Sequence, residues 1–177
     1  RLLDIDSAID EFVYQSIDVG KFSQIEIAGC DTHDFGMGIT EVDIAKHEGG
    51  ESGPLVAFLN AVAKDIEEDY PNILVGTLAY NLTSTPPKHI RPRNNVLIGW
   101  CDVYSKVDGI RPLSHPLNAR NYDEITAWGK VTPRLAIGDD YWTALGFYKY
   151  FPTPYAMIDC VAKDIRLFAD QGAESVF

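Results

Sequence analysis

Two aspartates and two aromatic residues directly follow an apolar stretch in residues 135–142, which read LAIGDDYW. Alternation along a strand puts Ala136, Gly138 and Asp140 on one face and the bulky residues between them on the other. Small residues leave space on their face, whereas bulky residues suit a face covered by helices. We therefore expect Asp140 to present an ionised carboxylate to a pocket, with Tyr141 beside it. The alternative is a loop or capping aspartate in solvent.

Two further acidic residues follow other apolar stretches. Asp102 ends the stretch VLIGWCD, and Asp34 lies in the loop after IEIAGC. Acid–base catalysis by a pair of carboxyl groups needs one that is protonated as general acid and one that is ionised as base or nucleophile. Repulsion between neighbouring carboxylates raises the pKa of one of them, which permits this division of roles. We predict Asp140, Asp102 and Asp34 as catalytic carboxylates, although each alone is also typical of a solvated loop.

Aromatic and basic side chains near the predicted strand ends are candidates for contacts with a sugar. Aromatic rings stack on the apolar faces of sugars, and histidine or arginine donates hydrogen bonds to hydroxyl or carboxylate groups. Ordinary core packing explains many aromatic residues, so Trp100 in particular is either a core residue or a sugar platform. The predicted substrate-binding residues are Tyr80, Trp100, Tyr141, Trp142, His115 and Arg111.

Composition excludes several other classes of function. The net charge of −11 argues against nucleic acid as a partner, because binding to phosphates needs clustered lysine and arginine. No apolar stretch approaches the ~20 residues that cross a membrane. The three cysteines follow no CxxC spacing, and Cys30, His33 and His47 are spaced irregularly, so we predict buried thiols and no metal site. No glycine-rich phosphate loop is present, and we predict no cofactor.

Apolar periodicity predicts alternating helices and strands. Helical spacing occurs over 5–17, 54–69 and 155–170, with a shorter helix near 121–128 that Asn121 could cap. Strand patterns begin near 24, 73, 95, 134 and 173, and residues 29–52 read as a long polar loop. No helical pattern precedes the strand predicted near residue 95.

This alternation predicts an α/β fold with a parallel sheet. Five strands in 177 residues fit the C-terminal part of a (β/α)8 TIM-type barrel with outer helices, incomplete in this chain, or a smaller open sheet. We treat residues 1–177 as a single barrel domain and expect it to be a fragment of a longer polypeptide. The long loops follow strands, at 29–52, 81–94, 102–120 and 139–153, and loops at the carboxyl ends of parallel strands carry the site in such folds.

From about Gly49 onward the chain resembles the family catalogued as domain of unknown function 4838. The segments that carry the resemblance are GGESGPLVAFLNAVAKDIEEDYPNILVGTLAY, PPKHIRPRNNVLIGWCD, SHPLN, AWGK and FPTPYAMIDCVAKDIRLFADQGAESVF. Members tend to read Trp-Asp-Tyr where this chain has Asp140 and Tyr141 without the tryptophan. The stretch after IEIAGC lacks the cysteines that members often have, which leaves a metal or disulfide role there unsupported.

The resemblance implies a barrel similar to those of α-glucuronidases and β-hexosaminidases, in bacterial systems that degrade polysaccharides. It suggests a secreted, periplasmic or cell-surface protein with a carbohydrate ligand and further domains in the same polypeptide. Two functions follow: a glycoside hydrolase, or a catalytically silent barrel that binds glycans. A third interpretation, a flavodoxin-like sheet that binds a phosphorylated ligand, ranks last because the phosphate-binding loop is missing.

Overall fold

The computed structural model describes residues 24–27, 38–102, 111–140 and 158–176. The helix predicted over 5–17 lies outside these residues. Within them the chain forms five strands and four α-helices. In chain order these are β1 (Gln24–Glu26), α1 (Ile39–Glu48), α2 (Ser52–Glu67), β2 (Leu74–Ala79), β3 (Val96–Asp102), α3 (Ala119–Val131), β4 (Leu135–Asp140), α4 (Ile158–Asp170) and β5 (Ala173–Val176).

All five strands are parallel and lie side by side in the order in which they occur in the chain. The predicted α/β class and parallel sheet are therefore confirmed. The described strands do not close into a barrel. The sequential order also differs from that of flavodoxin-like sheets, in which the order reverses at a switch point beside the ligand. The topology thus argues against the flavodoxin-like interpretation.

The core lies between one face of the sheet and the helices. Every residue of β3 is buried, as expected for a central parallel strand that is covered on both sides. Each large apolar side chain in this layer contributes about 1.5–3 kcal/mol relative to an exposed position. The main contributors are Val56, Leu59, Ile125, Trp128 and Phe168 from the helices and Val75, Val96, Ile98, Trp100, Leu135 and Ile137 from the strands.

Two details differ from the sequence prediction. The loop predicted at 29–52 contains helix α1, whose apolar residues form no continuous stripe and whose only buried residue is Glu48. The helix ends at Gly49, which has a φ of 87° and donates its N–H to the Ala45 carbonyl. The helical spacing over 54–69 also predicts that Phe58 lies on the buried face of α2, but its side chain is 42% exposed. Strands β2 and β3 are connected through a single 3₁₀ turn at Asn81–Thr83 and no α-helix, which confirms the expectation that no helix precedes the strand at 95.

The proline-rich segment between β2 and β3 is held by the buried carboxylate of Glu48. The backbone N–H groups of His89 and Ile90 donate to its Oε2, at 2.7 and 2.9 Å, and His47 Nδ1 lies 2.8 Å from its Oε1. Burial raises the pKa of Glu48, but the hydrogen bonds from Ile90, His89 and His47 outweigh this and lower it to about 2. The ionised side chain therefore joins the end of α1 to this segment.

Replacing Glu48 with glutamine should destabilise the fold by about 1–3 kcal/mol at neutral pH, because a neutral amide accepts these hydrogen bonds less strongly. The pKa is 4.5 in the unfolded chain and about 2 in the folded one, so the contribution is complete above pH 4.5 and disappears as the pH falls towards 2. Denaturant unfolding of both proteins across this range measures the difference.

The control is Glu68→Gln, at an exposed carboxylate beyond the end of α2, which should stay within about 0.5 kcal/mol of the original protein. A difference between Glu48→Gln and the original protein that is constant from pH 7 to pH 2 would contradict the role of the ionised carboxylate.

Candidate functional site

Two of the predicted catalytic aspartates end neighbouring strands. Asp102 is the last residue of β3 and Asp140 the last of β4, and their Cα positions are paired across the two strands. Parallel strands place their carboxyl ends at the same edge of the sheet. The backbone therefore brings these two acidic positions together at that edge.

The register shifts just before the two aspartates. Trp100 pairs with Ile137, but the next pair joins Cys101 to Asp139, so that Gly138 is skipped. Strict alternation along the sequence placed Asp140 on the same face as Ala136 and Gly138. The register shift interrupts that alternation at this point. The parity argument therefore holds for residues 135–138 and does not extend to Asp140.

The side chain of Asp102 is buried and held by helix α3. It is only 4% exposed, and Oδ1 accepts a short hydrogen bond from Nδ2 of Asn121, which is itself 1% exposed. Asn121 lies in the first turn of α3, which is the end of the helix nearest the carboxyl ends of the strands.

Helix α3 is also tied to the segment that follows β2. Ser84 donates its hydroxyl to Glu124 Oε1 at 3.1 Å, and Trp128 Nε1 donates to the Ser84 carbonyl at 2.6 Å. Arg120 donates to the same Glu124 oxygen at 2.9 Å. The polar half of the buried face of α3 thus links the carboxyl ends of β2 and β3.

The face of the sheet opposite the apolar core forms a cleft of about 270 Å³, and small residues make up part of its lining. Ala136 and Gly138 line it, whereas Leu135 and Ile137 pack in the core, so the faces predicted for these four residues are confirmed. The other residues lining the cleft are Gln24, Glu26, Thr77, Leu78, Leu97 and Gly99.

The predicted sugar-binding residues have different surroundings. Trp100 is completely buried, with its ring centroid 6.5 Å from that of Phe168 in α4, so it occupies the core position that was one of its two interpretations. Tyr80 is half-buried directly after β2, and its N–H donates to the Thr83 hydroxyl. Neither Tyr80 nor Asp102 is among the residues that line the cleft.

The other predicted positions are loop residues or lie outside the described part of the chain. His115 precedes a 3₁₀ turn, where Nδ1 accepts from the Leu117 N–H at 3.2 Å. Arg111 is exposed, and its carbonyl accepts from the side chain of Asn118. Asp34, Tyr141 and Trp142 lie outside the described residues, and the same is true of the side chain of Asp140.

Sequence reasoning missed the residues that hold the strand ends. Asn121 was predicted as a helix cap, but the helix begins two residues earlier and the amide bonds Asp102 instead. Nothing in the sequence except their polarity indicated that Glu124 and Ser84 hold the strand ends. The one available hint was helical spacing: Asn121, Glu124 and Trp128 recur at intervals of three and four residues and share the buried face of α3.

No metal-binding cluster was found in the described ranges. Among those residues, no group of three or more histidine, cysteine, aspartate or glutamate side chains is arranged to hold a metal ion. His47 is bonded to Glu48 and its ring centroid lies 4.8 Å from that of His89, while Cys30 and His33 lie outside the described residues. A search of the described helices also found none long and apolar enough to cross a membrane.

Replacing Gly138 with valine should destabilise the fold by about 1–3 kcal/mol, because the new side chain overpacks the face of the sheet that lines the cleft. A Cβ at this position would lie 2.7 Å from Leu78 Cδ2 and 3.1 Å from the Gly99 carbonyl oxygen. Gly50→Ala serves as the control, since a Cβ there meets nothing within 4 Å. Thermal unfolding compares the two variants, and a Gly138→Val protein as stable as the control would refute the close packing described.

Comparison with known proteins places the chain in one family. No curated protein and no solved structure matches it significantly. The family profile described as "Domain of unknown function (DUF4838)" matches residues 5–177, which is nearly the whole chain. The protein is therefore a member of the DUF4838 family.

Proposed function

We propose that this protein is a glycoside-hydrolase-like domain that acts on an oligosaccharide or polysaccharide by carboxylate acid–base catalysis. The observation that carries the proposal is the pairing of Asp102 with Asp140 at the carboxyl ends of two adjacent strands in a sequentially ordered parallel sheet. In parallel α/β folds this edge of the sheet bears the catalytic groups. Two neighbouring carboxyl groups are also what hydrolysis of a glycosidic bond requires.

In this proposal the five strands belong to a TIM-type barrel, and the cleft over Gly99, Ala136 and Gly138 is part of its interior. Sequential parallel order is the topology that a barrel needs. Asp34 would supply a third carboxylate from the loop after β1, and Tyr141 and Trp142 would supply rings for the sugar. The ligand is a carbohydrate, and no step needs a metal or an organic cofactor.

The alternative is a domain that binds glycans without cleaving them. The burial of Asp102 favours this alternative, because a carboxylate that is 4% exposed and bonded to a helix has the surroundings of a structural residue. A silent domain would keep the aromatic and polar contacts to sugar but would lack an accessible acid–base pair. The two functions differ in turnover and not in binding.

Substitution of each strand-end aspartate by asparagine separates these functions. If Asp102 and Asp140 are catalytic, Asp102→Asn and Asp140→Asn should each lower kcat by about 10²–10⁴-fold, which is the usual contribution of a positioned acid or base. Asparagine keeps the shape and removes the charge. The substrate is first identified by screening plant and host glycans with detection of released sugars, and Asp123→Asn, at an exposed position on α3, is the control.

A purely structural aspartate gives the opposite result. In that case the melting temperature falls while activity per folded molecule stays near the original value. Near-normal turnover in both folded variants would remove these residues from the mechanism. Binding of glycans without any product, in the original protein, would establish the silent alternative.

A further inference from the structure

We propose that Asn121 is a positioning residue that keeps Asp102 ionised and oriented at the end of β3, so that Asp102 takes the ionised role in the reaction. This inference rests on the proposed function, because it assigns a role within that site. It starts from the hydrogen bond between Asn121 Nδ2 and Asp102 Oδ1.

The surroundings of this pair of side chains favour an ionised carboxylate at Asp102. Both side chains are almost completely buried, so water contributes little to stabilising the carboxylate. An ionised carboxyl group accepts hydrogen bonds only, whereas a protonated one must also donate its proton. Because the Asn121 amide group is a donor at the carboxylate oxygen, it favours the form of Asp102 that has no proton.

Two charged side chains on the neighbouring elements bear on the protonation of Asp102. On α3, Arg120 donates to Glu124 Oε1 at 2.9 Å. On β4, Asp140 lies opposite Asp102 in the backbone register and carries a charge of the same sign when ionised. Because the Asn121 donor contacts Asp102, we expect Asp102 to stay ionised in preference to Asp140. The proton donor of the reaction must then be a different group.

The direct test is a titration of the aspartate carboxyl carbons by ¹³C NMR, with Asp102→Asn used to assign the Asp102 resonance. Asn121→Leu removes the donor at nearly the same volume, and the midpoint for Asp102 should rise by about one pH unit. Asn118→Ala is the matched control. Asn118 is equally buried at the start of α3, but its amide donates to the carbonyls of Arg111 and Pro112, so the Asp102 midpoint should not move.

An unchanged midpoint in Asn121→Leu would overturn the inference, as would an Asp102 that is still protonated at neutral pH in the original protein. If the leucine variant does not fold, Asn121→Ala, which also removes the donor, should show a rise in the same direction, and no rise there would equally overturn the inference. Once a substrate is known, the acidic limb of the pH profile of kcat/KM should move upward by the same amount. Complete absence of glycan turnover would reject the proposed function while the titration result would stand by itself.

Discussion

The third strand of the sheet is buried along its whole length, and its last residue is a carboxylate. Val96, Ile98 and Trp100 pack against the helices, so β3 cannot move away from them without opening the core. A carboxyl group buried at the end of such a strand is costly unless hydrogen bonds compensate for the lost water, whichever protonation state it has. The position of Asp102 therefore requires a donor from the covering layer, and helix α3 supplies one through Asn121.

This requirement explains why the buried face of α3 is polar at one end and apolar at the other. Ile125 and Trp128 extend the core, whereas Asn121 and Glu124 reach the ends of the strands. Ser84 completes the arrangement by bonding Glu124 and accepting from Trp128, which connects the segment after β2 to the same helix. The edge of the sheet that bears the acidic residues is thus held by a helix that is itself anchored at two points.

The sequence was sufficient to predict most of the described regular elements and insufficient to predict helix α1 and the polar contacts between the elements. Helix α2 and strands β2 and β3 follow from strong local patterns, and the faces of Leu135 to Gly138 follow from alternation because that part of β4 is regular. The register shift between Ile137 and Asp139 could not be predicted from alternation, because it depends on the neighbouring strand. Helix α1 has no apolar stripe, and its stability comes from contacts with α2 and with residues 88–90.

The partner of a buried polar side chain is a tertiary property, and for that reason Asn121 and Glu48 could not be assigned from the sequence. Both residues look like ordinary helix-end polar residues until the fold brings a distant carboxylate or backbone segment to them. The family profile covers nearly the whole chain, but it assigns no role to any residue. The roles rest on the contacts at the strand ends.

The central claim is that the carboxyl ends of the strands form the carbohydrate site. Mapping of backbone amide chemical shifts during titration with neutral and acidic oligosaccharides tests it most directly. The account predicts shifts at Tyr80, at Asp102 and in the first turn of α3, where the strand ends meet. Shifts confined to the opposite edge, at Asn72, Asn95 and Arg134, or no shifts with any of the sugars, would contradict it.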